Sequence, residues 1–371
     1  MYQEQSRKTN KKFLSLLFCG LTLCVLLGAC SSQTTTTSTQ AQGPIATPSP
    51  SVSSTLKNQG SDQLQTLQKY IAQMQEYGGN VATYQTDYTT DEKAFQSANT
   101  TEQYTAALDK TSSQVNAIKL PAIKAEATSL YNKLASEDAS FGKSHTFYDS
   151  YNNTTYQMGY EYNDQNGILG QLWGGSDLDD AQTVADYQYV IEEVNMWSYN
   201  FQEMVKNASD KTPATQAHAT DLQLMQHYGA TSGLAVVVSL YEQEARIYDN
   251  GKLIKAFQVT TGQPDLVSPP GDWHIEDKEY NVVFKSSAPV GSPDWYPNTP
   301  IANAMMYHSN GYFLHTAWWR DEFGPGTQFP HQDPSNLEDS GVGSHGCINM
   351  STTDAAWLEG QVQLFTPVIV Y

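Results

Sequence analysis

The chain has 371 residues, room for two domains behind a leader, and 39 acidic against 20 basic side chains give a formal charge of −19. No basic cluster lies beyond the first dozen residues, which argues against nucleic acid and anionic lipid headgroups, since both select for Lys and Arg. Of the 4 cysteines, only Cys347 falls outside the first 30 residues.

Arg7, Lys8, Lys11 and Lys12 precede an apolar run, and Leu27-Gly28-Ala29-Cys30 closes it. A basic start, a short apolar run and small residues before a cut site predict a secretory signal peptide over residues 1–29. The run is short and one-sided for a transmembrane helix. Its last four residues resemble a bacterial lipobox, which implies that Cys30 is lipidated and becomes the new N-terminus. Two or three acyl chains there hold a protein stably, where one is marginal. Cys19 and Cys24 then leave with the leader, and Cys347 is left as a lone thiol. Residues 30–58 are rich in Ser, Thr, Gln and Pro with almost nothing to bury, and predict a disordered, lipid-anchored linker.

Across 59–230 the pattern predicts an all-α helical bundle. Leu64, Leu67, Ile71 and Met74 recur at steps of three and four after a Ser61-Asp62 cap, and Leu130, Tyr131 and Leu134 continue the type beyond Pro121. Val184, Tyr187, Ile191 and Val194 belong to a further long helix. Tyr148, Tyr151, Tyr156, Tyr160 and Tyr162 cluster between them; such rings stack on sugars or fill a core, and both readings stay open. The role of this region is not legible in its residues.

At Gly229–Gly233 the period changes, and 231–371 reads as a mainly-β domain. Leu234 to Leu240 is a buried-strand run, and Asp249-Asn250-Gly251 is a hairpin turn between strands at 245–248 and 253–260. Short apolar segments at 281–284, 304–307 and 312–315 predict further strands. One short helix is expected at about 352–360, after Cys347, with a last strand at 367–371.

Gly343-Ser344-His345-Gly346-Cys347-Ile348-Asn349 carries the chemistry. A cysteine attacks as thiolate, so its surroundings must lower its pKa or supply a base. Glycine at 346 lets the chain bend, making the N–H groups of Gly346 and Cys347 candidates for an oxyanion hole. His345 is adjacent and, in an extended segment, points away from Cys347; it suits loop shaping better than proton transfer. His315, at the end of a strand, can approach from a neighbouring strand and is the candidate base. This constellation predicts acyl transfer through a thioester. The 5 histidines of this part, with the cysteine, lack Cys-x-x-Cys or His-x-x-x-His spacing, so neither metal nor cofactor is expected.

The segment from Ser344 to Asn349 resembles the signature of the L,D-transpeptidase catalytic domain family (YkuD-type). Val259-Thr260-Thr261-Gly262, Ser268-Pro269-Pro270-Gly271 and Phe313-Leu314-His315-Thr316 fall in the family's order. The resemblance implies that Cys347 attacks peptidoglycan stem peptides, that His315 is its base, and that the Thr316 carbonyl orients the imidazole. It further implies that His345, Gly346 and Asn349 complete the loop and its oxyanion donors. Ser344, Trp318 and Trp319 are substrate-binding candidates, the two tryptophans being equally readable as packing under the loop. The implied reaction expels D-alanine from a tetrapeptide stem and makes 3→3 cross-links, outside the cytoplasm, on a protein lipid-anchored to the bacterial membrane and facing the wall. An L,D-carboxypeptidase using the same site and a non-catalytic wall-binding lipoprotein are the alternatives. One departure from the family is the long link 321–342, with Phe323-Gly324-Pro325-Gly326 and His331; long loops beside a site are lids or binding loops. The oligomeric state is not legible.

Overall fold

The structure, a computed structural model, describes residues 51–172, 174–286, 288–292 and 295–371, without the side chains of 171–176. The leader, Cys30 and most of the linker lie outside the described residues.

Helix α1, Ser54–Glu76, opens within the stretch expected to be linker. The Ser53 hydroxyl accepts the Leu56 N–H at 3.2 Å, a cap that the Ser-Ser-Thr run supplies. Helix α2 is Ala82–Ser97, and α3, Thr101–Ser144, runs 44 residues straight through Pro121. Burial of the flanking Ile118, Ala122 and Ile123 outweighs the hydrogen bond the proline removes. A hairpin follows, β1 Thr146–Asp149 and β2 Thr154–Gln157, which the helical reading of the tyrosine cluster missed. Its turn is fixed by Asp149, whose carboxylate accepts the N–H groups of Tyr151 and Asn152 at 2.8 and 3.1 Å. A 3-10 turn Tyr160–Tyr162, a π turn Ile168–Leu172 and helices α4 Gly174–Asp180, α5 Val184–Ser209 and α6 Ala219–His227 complete the helical region.

The remainder is two sheets and one helix. A five-stranded sheet has the order β5-β4-β3-β11-β6, with β3 Leu234–Ser239, β4 Glu244–Asp249, β5 Lys252–Gln258, β6 Gly271–His274 and β11 Pro367–Val370. A four-stranded sheet has the order β10-β9-β8-β7, with β7 Asp277–Phe284, β8 Thr299–His308, β9 Tyr312–Thr316 and β10 Ile348–Met350. Helix α7, Thr352–Gln361, follows β10 and is capped by Ser351. A helical region followed by a mainly-β domain with one short helix after Cys347 is the architecture expected.

The described chain forms two units: residues up to 67 with 86–114, and 68–85 with 115–371. In the second, helices and sheets share one core. Trp197, Phe201 and Met204 of α5 belong to the same buried cluster as Val236, Val238 and Val370. Polar contacts join them too. Asn200 donates to the Val370 carbonyl at 2.8 Å. Asp221 of α6 takes a fork from Arg246 at 2.5 and 3.1 Å, with the hydroxyls of Tyr248 and Tyr371 at 2.6 and 2.7 Å. An ion pair this buried needs every such partner to offset desolvation. The change of period at Gly229 therefore marks a change of secondary structure within one packed body.

Candidate active site

Strands β9 and β10 run parallel, with His315 the Cα partner of Asn349. This pairing brings the end of β9 beside the segment that opens β10, so His315 and Cys347, 32 positions apart in the chain, sit on neighbouring strand segments. Both strands are fully buried at Leu314, Ile348 and Met350, the apolar run that forces the register.

His315 is 4% exposed, and its Nδ1 lies 3.0 Å from the Thr316 carbonyl oxygen. A carbonyl only accepts, so the proton sits on Nδ1 and Nε2 keeps its lone pair. Burial pushes the imidazole down to about 4; the Thr316 carbonyl opposes this and the Arg320 charge adds to it. Near neutrality the ring is an uncharged base. Phe284 meets it edge-on at 5.2 Å between centroids, and Trp319 lies tilted at 6.0 Å.

Cys347 is half-buried and unbridged. Burial pushes its thiol up to about 11, against a hydrogen bond from the Phe313 backbone. The resting thiol and imidazole are thus both neutral near pH 7.

Two candidate groups of the loop around the cysteine are engaged within the loop itself. The Gly346 N–H, expected in the oxyanion hole, donates to the Ser344 hydroxyl at 3.0 Å, because the chain doubles back at Gly346 with φ of +103°. Ser344, the substrate-binding candidate, is buried and also hydrogen-bonds the Cys347 carbonyl, bracing the turn. Only glycine fits at 346, since a Cβ would stand 2.5 Å from a Tyr312 ring carbon and 3.0 Å from the Val267 carbonyl. His345 is half-buried beside Tyr296, at 5.3 Å between rings. Asn349 exchanges backbone bonds with Thr260 at 2.8 and 3.0 Å, and its buried Oδ1 meets no partner among the described residues.

Sequence reasoning missed Ser268 as a site residue. Fully buried, its hydroxyl accepts the Gly262 N–H at 3.0 Å and donates to the Gly346 carbonyl at 2.8 Å, tying two family segments together. The Ser-Pro-Pro-Gly run was its only signal. The tryptophans divide. Trp319 packs half-buried beside His315, whereas Trp318 is 51% exposed and its indole N–H donates to the Pro300 carbonyl at 2.9 Å. Trp318 walls a cleft of about 400 Å³ whose lining includes Thr316, Asn281, Ala302 and Thr352. The cleft adjoins Thr316, whose carbonyl holds the His315 ring.

The long link is ordered by its own contacts. Asp333, 3% exposed, accepts the N–H groups of Asp321, Glu322 and Ser335 at 3.1, 3.0 and 2.9 Å. Burial works to raise its carboxyl, but these bonds hold it below the usual range. The His331 Nδ1 lies 2.8 Å from the Phe329 carbonyl, and its backbone N–H donates to the Gly341 carbonyl at 2.8 Å, so both contacts of this residue are within the loop. His274 stacks on Phe365 and His308 meets Trp273 edge-on, both as strand residues. Among the described residues no group of three His, Cys, Asp or Glu side chains could hold a metal ion, and no helix is long and apolar enough to cross a membrane.

Residues 234–370 match the family model of the L,D-transpeptidase catalytic domain, YkuD, the family expected from the Ser-His-Gly-Cys segment. L,D-transpeptidase 1 of Mycobacterium tuberculosis is 27% identical over 161 residues, 43% of this chain and 58% of that protein. Probable L,D-transpeptidase 3 of the same organism is 32% identical over 112 residues, 29% of this chain and 36% of that protein. The solved catalytic domain of the Enterococcus faecium L,D-transpeptidase is 26% identical, with a TM-score of 0.30, covering 38% of this chain and 98% of that one. The chain thus spans little more than half of the first curated relative and about a third of the second.

Proposed function

We propose that this protein is a peptidoglycan L,D-transpeptidase working through Cys347. The observation that carries the reading is the His315 imidazole, fixed by the Thr316 carbonyl with Nε2 free, on the strand that pairs with the one following Cys347. The Cys347 sulfur attacks the carbonyl of the third residue of a tetrapeptide stem while its proton passes to His315. The oxyanion forms at the Cys347 N–H, worth about 3 kcal/mol where such a donor is well placed. The C–N bond to D-alanine then breaks, and His315 returns the proton to the departing amine. An amine of a second stem attacks the thioester, gives its proton to His315 and expels the thiolate, leaving a 3→3 cross-link. Water in place of that amine makes the same site an L,D-carboxypeptidase. The Cys30 lipobox supports a lipid-anchored enzyme outside the cytoplasm, and loss of palmitate labelling in Cys30→Ala tests that part.

Purified protein with tetrapeptide muropeptides, followed by mass analysis, tests the reaction. Dimers lacking one D-alanine are expected, absent with Cys347→Ala. Monomeric tripeptide alone would establish the carboxypeptidase, and turnover by Cys347→Ala would sink the assignment. Relatives have been solved with imipenem and with a faropenem-derived adduct, so a carbapenem is a fitting acylating probe for this thiol.

A further inference from the structure

The hairpin β1–β2 and the turn after it lie outside the matched domain, yet their side chains end on the segments that hold Cys347. Phe147 and Tyr156 are Cα partners across the hairpin and so present neighbouring rings on one face. Both stack on Phe329 of the long link, at 5.2 and 4.6 Å between centroids and 18° and 12° between planes. Phe329 is fully buried, and Tyr160 meets it edge-on at 5.7 Å. The Tyr160 hydroxyl donates to the Gly262 carbonyl at 2.6 Å, and the Asn166 amide donates to Asp265 at 2.6 Å.

From those landing points the path to the cysteine is short. The Gln328 carbonyl and the Gln263 N–H press so closely on Gly343 that a Cβ there would stand 2.7 Å from each. The Ser344 N–H donates to the Thr261 carbonyl at 2.9 Å, and the Gln263 N–H to the Ser344 carbonyl at 3.0 Å. Ser344 in turn braces Gly346 and Cys347. Residues 147–166 therefore clamp both chain segments flanking the catalytic turn, one through Phe329 and one through Gly262.

We propose that the hairpin region is a working part of the active site, with Phe329 and Tyr160 as positioning residues that aim the Cys347 N–H at the oxyanion. This rests on the reading of Cys347 as the nucleophile. The clamp acts on the turn's backbone, so its loss slows reactions that build an oxyanion and spares those that need only the thiol. Carbapenem acylation is of the first kind: sulfur adds to the lactam carbonyl, the ring C–N bond breaks and the nitrogen takes the proton. Alkylation by iodoacetamide forms the S–C bond, displaces iodide and passes the thiol proton to His315 or water, without any oxyanion.

The test measures both rates on the full chain, by intact mass. Phe329→Ala should lose about 10- to 100-fold in carbapenem acylation, less than the roughly 100- to 1,000-fold that removing an oxyanion donor outright costs, with alkylation within about threefold. Because a buried aromatic is being removed, Phe147→Ala with Tyr156→Ala repeats the test from the half-buried hairpin side. Phe147→Tyr with Tyr156→Phe, which keeps both rings, should restore the rate. Acylation at the wild-type rate in the hairpin double variant would overturn the proposal, as would equal losses in both reactions. A wild-type chain that alkylates but never acylates would instead refute the acyl-transfer reading itself.

Discussion

Replacing Ser268 with alanine should damage stability and catalysis together. Its hydroxyl serves a donor and an acceptor at once, the Gly262 N–H at 3.0 Å and the Gly346 carbonyl at 2.8 Å, in a fully buried position. Alanine fits the space and leaves both backbone groups without partners. Each orphaned buried group costs about 1–3 kcal/mol, so the pair predicts a loss of about 2–6 kcal/mol. In a body of this size that lowers the melting midpoint by roughly 5–15 °C. Gly346 directly precedes the nucleophile, so a share of about 1.4 kcal/mol spent on the turn's geometry would slow acylation about tenfold. Urea melts give the first quantity and carbapenem acylation, followed by mass, gives the second. A stability loss below about 0.5 kcal/mol would refute the reasoning, because water or a shifted neighbour must then satisfy both groups.

Carbapenem acylation by the wild-type chain should fall on its acid side near pH 4, where His315 gains a proton, and run level from there through neutrality. An acid limb centred near the ordinary histidine value of about 6.5 would contradict the buried, neutral base. His315→Ala should lose most of the acylation rate, and His331→Ala should keep it. In Trp318→Ala, the KM for muropeptides should rise several-fold with kcat held within about twofold, the pattern of lost uniform binding; unchanged KM would show that the exposed ring touches no substrate. Burial, with the charges of Glu161 and Asp164, pushes the Asp138 carboxyl up to about 8. The folded state therefore holds a proton the unfolded chain releases near pH 4, so this contribution is full below pH 4 and lost as pH rises to about 8. Glu161, raised to about 7 chiefly by burial, adds in the same sense. Asp138→Asn should raise the melting midpoint at pH 8 and flatten its decline between pH 5 and 8. A decline as steep as in the wild type would place the linkage elsewhere.

The β-rich part was legible because its signals are local. The Val236-Val237-Val238 run is a buried strand, and Asp249-Asn250-Gly251 turns with positive φ at Asn250 and Gly251, +49° and +74°. Strand β10 was not legible: three residues carry no period, and only pairing with β9 defines it. The β1–β2 hairpin was hidden by its tyrosines, which suit a helix face as well as a strand, although Thr146, Thr154 and Thr155 favour a strand. Cysteine and histidine could be paired from their family context, but the Ser344 brace could not. Whether a glycine N–H is free or committed depends on one serine rotamer. Contacts such as Tyr160 to Gly262, 102 positions apart, have no signature in a single sequence.

A thiol held near 11 has a further consequence, for the lifetime of the enzyme. At pH 7 only on the order of one molecule in ten thousand carries the thiolate, the form that peroxides and disulfides attack. For the enzyme proposed above, outside the cytoplasm, no glutathione pool restores an oxidised cysteine. On the proposed mechanism, in which the proton leaves only when a carbonyl and His315 draw it away together, burial spares Cys347 from oxidants between turnovers.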